Sequence, residues 1–260
     1  MLKDRCALVT GSVSGLGYAI AESLAKAGAN VIVNGLCETA TGEASAARLA
    51  ATAGIDAIFD GADLADVSAI ERMFANARTR FGGIDIVVNN AVVRHFSPIE
   101  SLSTEQWNNS LAVNISAAFH CVRLALPGMR EKGWGRVINL SSISGARGVE
   151  NRIDYVTTKT ALLGMTRAIA IETALTGITC NAIAPGVVPS PAIVERIDRM
   201  AESEGIPRAE AERRYLTSRH PTERFVGLEN VGALAAFLCS PAARDITGAT
   251  LPIDGGWQAR

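Results

Sequence analysis

The chain has 260 residues, of which 48% are hydrophobic and 20% are charged, with a formal net charge of -1. This balance is typical of a globular chain with a large core, and it excludes disordered, collagen-like and coiled-coil proteins. Lys and Arg total 25 against 26 Asp and Glu, so there is no basic excess for nucleic acid and no partner of that class is expected.

Short apolar runs alternate with longer segments of helical periodicity along the whole chain. Apolar runs of this length predict buried strands, and apolar residues at i, i+3 and i+4 predict the helices between them. The predicted strands are residues 6–10, 30–33, 57–59, 84–89, 136–140, 179–183 and 250–253. The predicted helices are residues 17–27, 40–52, 67–81, 104–129, 154–176 and 230–238.

This rhythm predicts an α/β fold, a Rossmann-type doubly wound, seven-stranded parallel sheet with helices on both faces. No linker, charge block or repeat divides residues 1–260, so one domain is expected. Residues 187–223 break the rhythm, because they are charged, punctuated by proline and contain two short amphipathic pieces instead of a strand. Insertions after a strand often cover active sites, so this segment is predicted to be a substrate lid.

Membrane and metal binding have little support in the sequence. No run reaches the ~18–20 uninterrupted apolar residues of a membrane span, so a cytoplasmic protein without a membrane partner is expected. The five cysteines contain no C-x-x-C pair, and we interpret them as buried thiols in a reducing compartment. The isolated His95, His120 and His220 have no ligand spacing, so no metal is expected.

The first motif that carries chemistry is a glycine turn, Thr10-Gly11-x-x-x-Gly15-x-Gly17, between the first predicted strand and helix. Glycines there permit a tight turn and let a diphosphate approach the unpaired N–H groups at the helix start. The spacing differs from G-x-G-x-x-G, so an ordinary glycine turn is the alternative interpretation.

The second motif is Tyr155-x-x-x-Lys159 in a predicted helix. Residues at i and i+4 share a helix face, so the ammonium can lie beside the phenol and lower its pKa from about 10. The bare pattern is common on solvated helix faces. Ser142 strengthens the functional interpretation, because it follows the fifth predicted strand, at the sheet edge where open α/β proteins bind ligands.

With Asn89-Asn90-Ala91 and Asn114, these motifs stand in an order that resembles the short-chain dehydrogenase/reductase family over nearly the whole chain. The resemblance implies an NAD(P)-dependent oxidoreductase acting on CH–OH groups, with Tyr155 as the general acid/base. It also implies that Ser142 binds the reacting oxygen and that Lys159 holds the nicotinamide ribose and lowers the phenol's pKa. Asn114 would position a water that connects Lys159 to solvent.

The resemblance also predicts the cofactor site. The residues it implies are Thr10, Gly11, Ser14, Gly15, Leu16, Gly17, Leu36, Asp63, Leu64, Asn90, Ala91, Tyr155, Lys159, Pro185, Gly186 and Val188. One departure is Val92, which stands where the family usually has glycine. A β-branched residue disfavours positive φ and crowds the cofactor groove, so an altered backbone path is expected there.

The end of the second predicted strand bears on cofactor choice. Residues 33–38 read VNGLCE, with neither an acid at the strand end for the ribose hydroxyls of NAD nor a cation for the 2'-phosphate of NADP. Because a 2'-phosphate would be left uncompensated, NAD is the predicted cofactor and NADP is less favoured.

Several segments, including VNGLCE, FDGADL and DGGWQAR, resemble the D-3-hydroxybutyrate dehydrogenase branch of the family. That branch implies a short 3-hydroxy acid, NAD and a homotetramer formed through the long helices. Its carboxylate-binding positions differ in this chain. Arg94 and Arg196 stand in place of Gln, Ser144 in place of His and Arg152 in place of Lys, while Trp257 is kept.

The arginines favour an anionic substrate, because a guanidinium can clamp a carboxylate, phosphate or sulfonate with two hydrogen bonds. We therefore expect a short hydroxy or keto acid with one strong anionic group or two. The predicted substrate-binding residues are Arg94, Ser142, Ser144, Arg152, Arg196 and Trp257. The alternative is that Arg196 or Arg94 is solvated or paired with a lid carboxylate such as Glu195.

Two other functions share some of these motifs. A 3-oxoacyl-thioester reductase using NADPH would need cations after the second strand and an open acyl groove. A non-catalytic dinucleotide-binding regulator would have a damaged tetrad, whereas Asn114, Ser142, Tyr155 and Lys159 are all present. Only Val92 favours the regulator.

Overall fold

Strands and helices alternate along the computed structural model of the chain, which describes residues 1–259. The strands are β1 (Cys6–Val9), β2 (Asn30–Asn34), β3 (Ala57–Asp60), β4 (Ile86–Asn89), β5 (Gly135–Leu140), β6 (Ile178–Pro185) and β7 (Thr250–Ile253). The helices are α1 (Gly15–Lys26), α2 (Thr39–Ala53), α3 (Val67–Phe81), α4 (Thr104–Leu111), α5 (Ala117–Glu131), α6 (Ile153–Glu172), α7 (Pro191–Glu204), α8 (Arg208–Thr217) and α9 (Leu228–Leu238).

Over the described residues, the strands form one sheet in the order β3-β2-β1-β4-β5-β6-β7, and every neighbouring pair is parallel. The strand order reverses between β1 and β4. At such a switch point the connections leave in opposite directions and open a crevice at the carboxyl ends of the strands. The predicted doubly wound, seven-stranded fold is therefore confirmed.

The sheet separates two apolar clusters, one on each face. Along β1, Ala7 and Val9 belong to the cluster beneath α1 and α9, whereas Cys6 and Leu8 belong to the cluster beneath α3 and α5. This alternation follows from the two-residue period of a strand. Burial on both faces explains why the strands are nearly continuous apolar runs.

The helix predicted over residues 104–129 is interrupted. A π-helical turn, Ala112–Ser116, joins α4 to α5, and Asn114 lies within it. Its amide bonds to the backbone of Val93 on a neighbouring segment, a tertiary contact that sequence periodicity does not register. The helix predicted over 154–176 also ends earlier, at Glu172.

The combined stretch Thr104–Glu131 is long and apolar enough to cross a membrane, which the search for uninterrupted apolar runs did not anticipate. In this fold α5 contributes Cys121, Val122 and Met129 to the core cluster under the sheet. Packing within the chain therefore accounts for part of its apolar character.

The charged segment 187–223 forms α7 and α8, which pack against each other beyond the carboxyl end of β6. Each helix buries a narrow apolar side, represented by Ile197 and Leu216, and exposes the rest. This matches the two short amphipathic pieces expected from the sequence.

Candidate active site

A cavity of about 850 Å³ opens at the carboxyl edge of the sheet. One end lies at the turn after β1 and the ends of β2 and β3, where Gly11, Leu36 and Asp63 line it. The other end lies under α7 and α8, where Arg196 and Trp257 line it. The cavity therefore spans the switch point, where this class of sheet binds ligands.

The glycines of the turn after β1 are required by backbone conformation or by close packing. Gly11 and Gly15 have φ values of 62° and 60°, the left-handed region that favours glycine. A Cβ on Gly17 would overlap the carbonyl oxygen of Gly11. At the start of α1, Ser14 makes no side-chain capping bond. This turn, with the first N–H groups of a twelve-residue helix, fits the diphosphate of a nicotinamide dinucleotide.

Thr10 and Asn90 hold the two sides of the switch point together. The Thr10 hydroxyl accepts hydrogen bonds from the N–H groups of Asn90 (2.9 Å) and Ala91 (3.0 Å). The Asn90 amide donates to the carbonyls of Thr10 and Gly11, both at 2.9 Å. Of the predicted cofactor-binding residues, Thr10 and Gly15 do not line the cavity, whereas the others do. Thr10 therefore lies behind the cavity wall and holds Asn90 and Ala91 in place.

Ser142, Tyr155 and Lys159 line the middle of the cavity. Ser142 follows β5 and accepts a hydrogen bond from the N–H of Ser144 (3.1 Å). Lys159 lies one turn after Tyr155 on α6, with its Nζ 5.7 Å from the centroid of the Tyr155 ring. The Nζ donates to the carbonyl of Leu140 at 2.5 Å. Burial, and then the charge of Arg94, lower the pKa of Lys159 to about 7.

Asn114 lies behind this wall and outside the cavity lining. Its Oδ1 accepts from the Val93 N–H at 2.8 Å, and its Nδ2 donates to the Val93 carbonyl at 2.8 Å and to the Thr158 hydroxyl at 3.1 Å. Both amide hydrogens are therefore used, and the side chain ties the segment after β4 to α6. The role predicted for Asn114, to position a water between Lys159 and solvent, stays a prediction.

Val92 has no positive φ, so a β-branched residue fits the backbone there without strain, and an altered path relative to the usual glycine stays a prediction. The non-glycine residues with positive φ in the described chain are Asp4, Asn151 and Glu223. Hydrogen bonds to Ala91 on one side and Val93 on the other fix an ordinary conformation at Val92. Its side chain is 38% exposed and lines the cavity.

Arg94, Arg152 and Arg196 line the substrate end together with Ser144 and Trp257. The guanidinium carbon of Arg152 lies 5.2 Å from the ring centroid of Phe96 and 5.9 Å from that of Tyr155. Burial, then the charges of Arg94 and Arg196, lower the pKa of Arg152, although Tyr155 and Asp154 act in the opposite direction.

Of the alternative interpretation, the solvated form agrees with the structure, because Arg94 and Arg196 are exposed, whereas the pairing of Arg196 with Glu195 is not found in the described chain. The carboxylate of Glu195 pairs instead with Arg199, one helical turn further along α7, at 3.9 Å. This partner is favoured because residues at i and i+4 lie on the same helix face, whereas adjacent residues point apart. Arg196 instead lies near Phe96, with its guanidinium carbon 5.8 Å from the ring centroid.

Tyr215 and Arg219 also line this end of the cavity, and our sequence interpretation missed both. The Arg219 guanidinium stacks on the Tyr215 ring at 4.0 Å and donates to the Tyr215 carbonyl at 2.7 Å. An aromatic and an arginine at i and i+4 within the lid segment were the available signal.

Asp154, which precedes the tyrosine, anchors the segment that carries Arg94 and Phe96. Its carboxylate is 1% exposed and accepts from the backbone N–H (3.1 Å) and Nδ1 (2.9 Å) of His95 and from the Ser110 hydroxyl (2.7 Å). Burial alone would raise the pKa of Asp154, but hydrogen bonds from Ser110, His95 and the Tyr155 N–H outweigh it, so the pKa is lowered.

His220 holds the turn after β6. It is fully buried, accepts from the Val187 N–H at 2.8 Å through Nε2 and bonds to the Arg224 carbonyl at 2.6 Å through Nδ1. These two partners require a neutral ring with the proton on Nδ1. A Cβ on Gly186 would overlap this ring, so glycine there permits the close approach.

Comparisons with known proteins agree with this geometry. A short-chain dehydrogenase model described as enoyl-(acyl carrier protein) reductase matches residues 11–258. The chain is 44% identical to a D-beta-hydroxybutyrate dehydrogenase from Cupriavidus necator over the full length of both chains. It is 38% identical to another from Rhizobium meliloti, over 98% of this chain and 99% of that one. L-sorbose reductase from Gluconobacter frateurii, solved with NADPH and L-sorbose, superposes with a TM-score of 0.94 at 28% identity, over 100% of this chain and 98% of that one.

Proposed function

This chain belongs to the short-chain dehydrogenase/reductase family, and we propose that it is an NAD-dependent oxidoreductase that interconverts a short anionic hydroxy acid and its keto acid. The observation that carries the proposal is one cavity that contains both Ser142 with the Tyr155–Lys159 pair and a group of arginines without carboxylate partners. Identity to two D-beta-hydroxybutyrate dehydrogenases supports the hydroxy-acid class.

In the proposed reaction, a bound nicotinamide supplies the acceptor or donor of a hydride. Tyr155 takes the hydroxyl proton of the alcohol during oxidation and returns it during reduction. Ser142 holds the same oxygen through a hydrogen bond. Lys159 would hold the ribose hydroxyls of the bound cofactor and keep its amine beside the Tyr155 ring, and Asn114 would position the water that connects Lys159 to solvent.

The adenosine end of the cavity supports NAD over NADP. Its wall at the ends of β2 and β3 consists of Asn34, Gly35, Leu36, Ala62 and Asp63. Within the described chain, the cations that line the cavity are Lys159 in its middle and the arginines at the substrate end. An added 2'-phosphate at the adenosine end would therefore meet no positive charge there.

The lack of a cation in the cavity lining after β2 weighs against a 3-oxoacyl-thioester reductase using NADPH, which would need one there. A non-catalytic regulator is also disfavoured, because the four predicted catalytic residues are intact and Val92 has no positive φ.

We also propose that the protein is a cytoplasmic homotetramer. Apolar side chains on and after the long helices support subunit contacts, since Phe119 is 52% exposed and Ile171 is 80% exposed. Light scattering during size-exclusion chromatography tests the assembly. We expect four times the chain mass of 27.3 kDa, whereas a monomer would contradict this proposal.

NAD reduction followed spectrophotometrically tests the catalytic proposal. The substrates are short hydroxy acids, including D-3-hydroxybutyrate, each beside the uncharged alcohol of the same carbon skeleton. We expect turnover of acids with NAD and little turnover of the alcohols. Activity on the alcohols alone would overturn the anionic-substrate proposal, and a preference for NADP would overturn the cofactor proposal.

A further inference from the structure

Four guanidinium groups line the substrate end of the cavity, those of Arg94, Arg152, Arg196 and Arg219. Across residues 1–259, none of them forms an ion pair with Asp or Glu. Elsewhere on α7 and α8 the arginines are paired, as Arg199 is with Glu195. Arg196 and Arg219 are therefore exceptions among the arginines of the segment that contains α7 and α8.

Their charges act on one another. Arg152 and Arg196 both lie within 6 Å of the centroid of the same ring, that of Phe96. Arg94 and Arg196 each repel the charge on Arg152. Bringing like charges together in a partly buried cavity is unfavourable unless counter-charges are supplied.

The acidic groups nearby do not balance them. Glu150 is exposed at the rim of the cavity and makes no ion pair among the described residues. Asp154 lies behind Arg152, but its carboxylate is bound by His95, Ser110 and the N–H of Tyr155. The site thus has more positive charge than one substrate carboxylate can neutralise.

The arginines come from separate segments of the chain. Arg152 precedes α6, with its guanidinium 5.9 Å from the Tyr155 ring centroid, and Arg94 follows β4. Arg196 and Arg219 belong to α7 and to the residues after α8. Several guanidinium groups are therefore available at one end of the cavity, and that of Arg152 lies near Tyr155.

We propose that the substrate is a hydroxy acid with two acidic groups, which rests on the function proposed above. In the oxidation, the C–H hydride passes to NAD⁺ and the O–H proton passes to Tyr155, which yields the keto acid and NADH. Both acidic groups are unchanged. The second group is a carboxylate, phosphonate or sulfonate, because each can accept the paired N–H groups of an arginine.

The test compares kcat/KM with NAD for 3-hydroxy acids on one skeleton. The monoanion is 3-hydroxybutyrate, and the acids with a second group are 3-hydroxyglutarate, 3-hydroxy-4-phosphonobutyrate and 3-hydroxy-4-sulfobutyrate. We expect at least one of the latter to exceed 3-hydroxybutyrate by about tenfold or more, the effect of one added charge-assisted contact. The best of them identifies the second group. A preference for 3-hydroxybutyrate over all three would overturn the two-anion proposal and leave the proposed function standing.

Variants locate the second anion. Arg196→Gln and Arg219→Gln should reduce kcat/KM for the preferred dianion about tenfold more than for 3-hydroxybutyrate. Arg199→Gln, on the same helix but paired with Glu195, is the matched control and should leave both values unchanged. Equal losses for both substrates in the two cavity variants would contradict a second anion site.

Calorimetry of binding separates the two proposals. Butyrate, glutarate, 4-phosphonobutyrate and 4-sulfobutyrate, which have no hydroxyl to oxidise, are titrated into the protein with NADH. Tighter binding of any of the last three than of butyrate supports the two-anion site even if no hydroxy acid is turned over, an outcome that would overturn the proposed reaction alone. Binding of all three no tighter than that of butyrate overturns the two-anion site.

Discussion

The two ends of the cavity are built in different ways. The dinucleotide end consists of backbone and short side chains held by buried hydrogen bonds, such as those from the Asn34 amide to the carbonyls of Asp60 (3.0 Å) and Ala62 (3.1 Å). The substrate end consists of long cationic side chains, among which Arg94 and Arg196 are exposed. We call the dinucleotide end, which hydrogen bonds within the chain hold in place, the rigid end. We call the substrate end, whose arginines form no ion pair with Asp or Glu among the described residues, the charged end.

Because of this difference, we expect the residues for the reaction and the residues for substrate choice to lie in different parts of the cavity. Ser142, Tyr155 and Lys159 lie between the two ends, after β5 and on α6. The segments that carry the arginines follow β4, precede α6 or form α7 and α8. Substitutions at the rigid end and the middle should therefore change turnover or cofactor use, and those at the charged end should change substrate affinity.

The largest expected effect comes from Tyr155→Phe, which removes the proposed proton carrier without emptying the cavity. We expect kcat to fall roughly 10²–10⁴-fold, the usual contribution of general acid–base catalysis. NADH binding, followed by fluorescence, should change little. Tyr215→Phe, on the charged wall, is the comparison variant. A Tyr155→Phe enzyme with unaltered kcat would refute the assignment of the proton carrier.

Leu36→Arg should alter the rigid end alone. Leu36 is 72% exposed after β2, so an arginine there can reach a 2'-phosphate without displacing the core. We expect the ratio of kcat/KM for NADP to that for NAD to rise about ten- to a hundredfold. Leu36→Gln is the uncharged control. If both variants shift the ratio equally, charge is not the basis of cofactor choice.

Lys159→Met should change stability as well as turnover. Burial lowers the pKa of Lys159 from its ordinary value of 10.5 to about 7, so above pH 7 the unfolded chain binds a proton there that the folded chain lacks. Stability of the ligand-free protein should therefore rise as the pH increases from about 7 to about 8.5. Higher pH is less informative, because burial raises the pKa of Cys121 and Cys180 to about 12, which acts in the opposite direction.

Thermal unfolding across that pH range gives the measurement. We expect the rise in Tm to be smaller in Lys159→Met than in the wild type, and the variant to be more stable at pH 7 because a buried amine is gone. The exposed Lys3→Met is the control. Equal pH dependence in all three proteins would show that Lys159 is not the group responsible.

Asp154→Asn should have the smallest effect and act on the charged end. The Asp154 carboxylate holds His95 and thereby the segment bearing Arg94 and Phe96, so it is a positioning residue. We expect KM for the hydroxy acid to rise a few-fold with little change in kcat. Asp245→Asn, at an exposed pair with Arg244, is the control. A fall in kcat without a change in KM would contradict this role.

Much of the rigid end was predictable from sequence, because its signals are local. Glycines that bracket a turn, apolar runs that fit a strand, and Tyr155 four residues before Lys159 all depend on spacing along the chain. The pairing of strands follows from the same rhythm, since parallel strands joined by helices permit few arrangements.

The charged end was only partly predictable. The sequence alone determined the parallel sheet, the glycine turn and three of the four cavity arginines. Tertiary structure decided that Asn114 lies in a π-helical turn and uses its amide on Val93, and that Arg219 joins the arginines. These outcomes depend on contacts between segments far apart in sequence, whose energies no local pattern records.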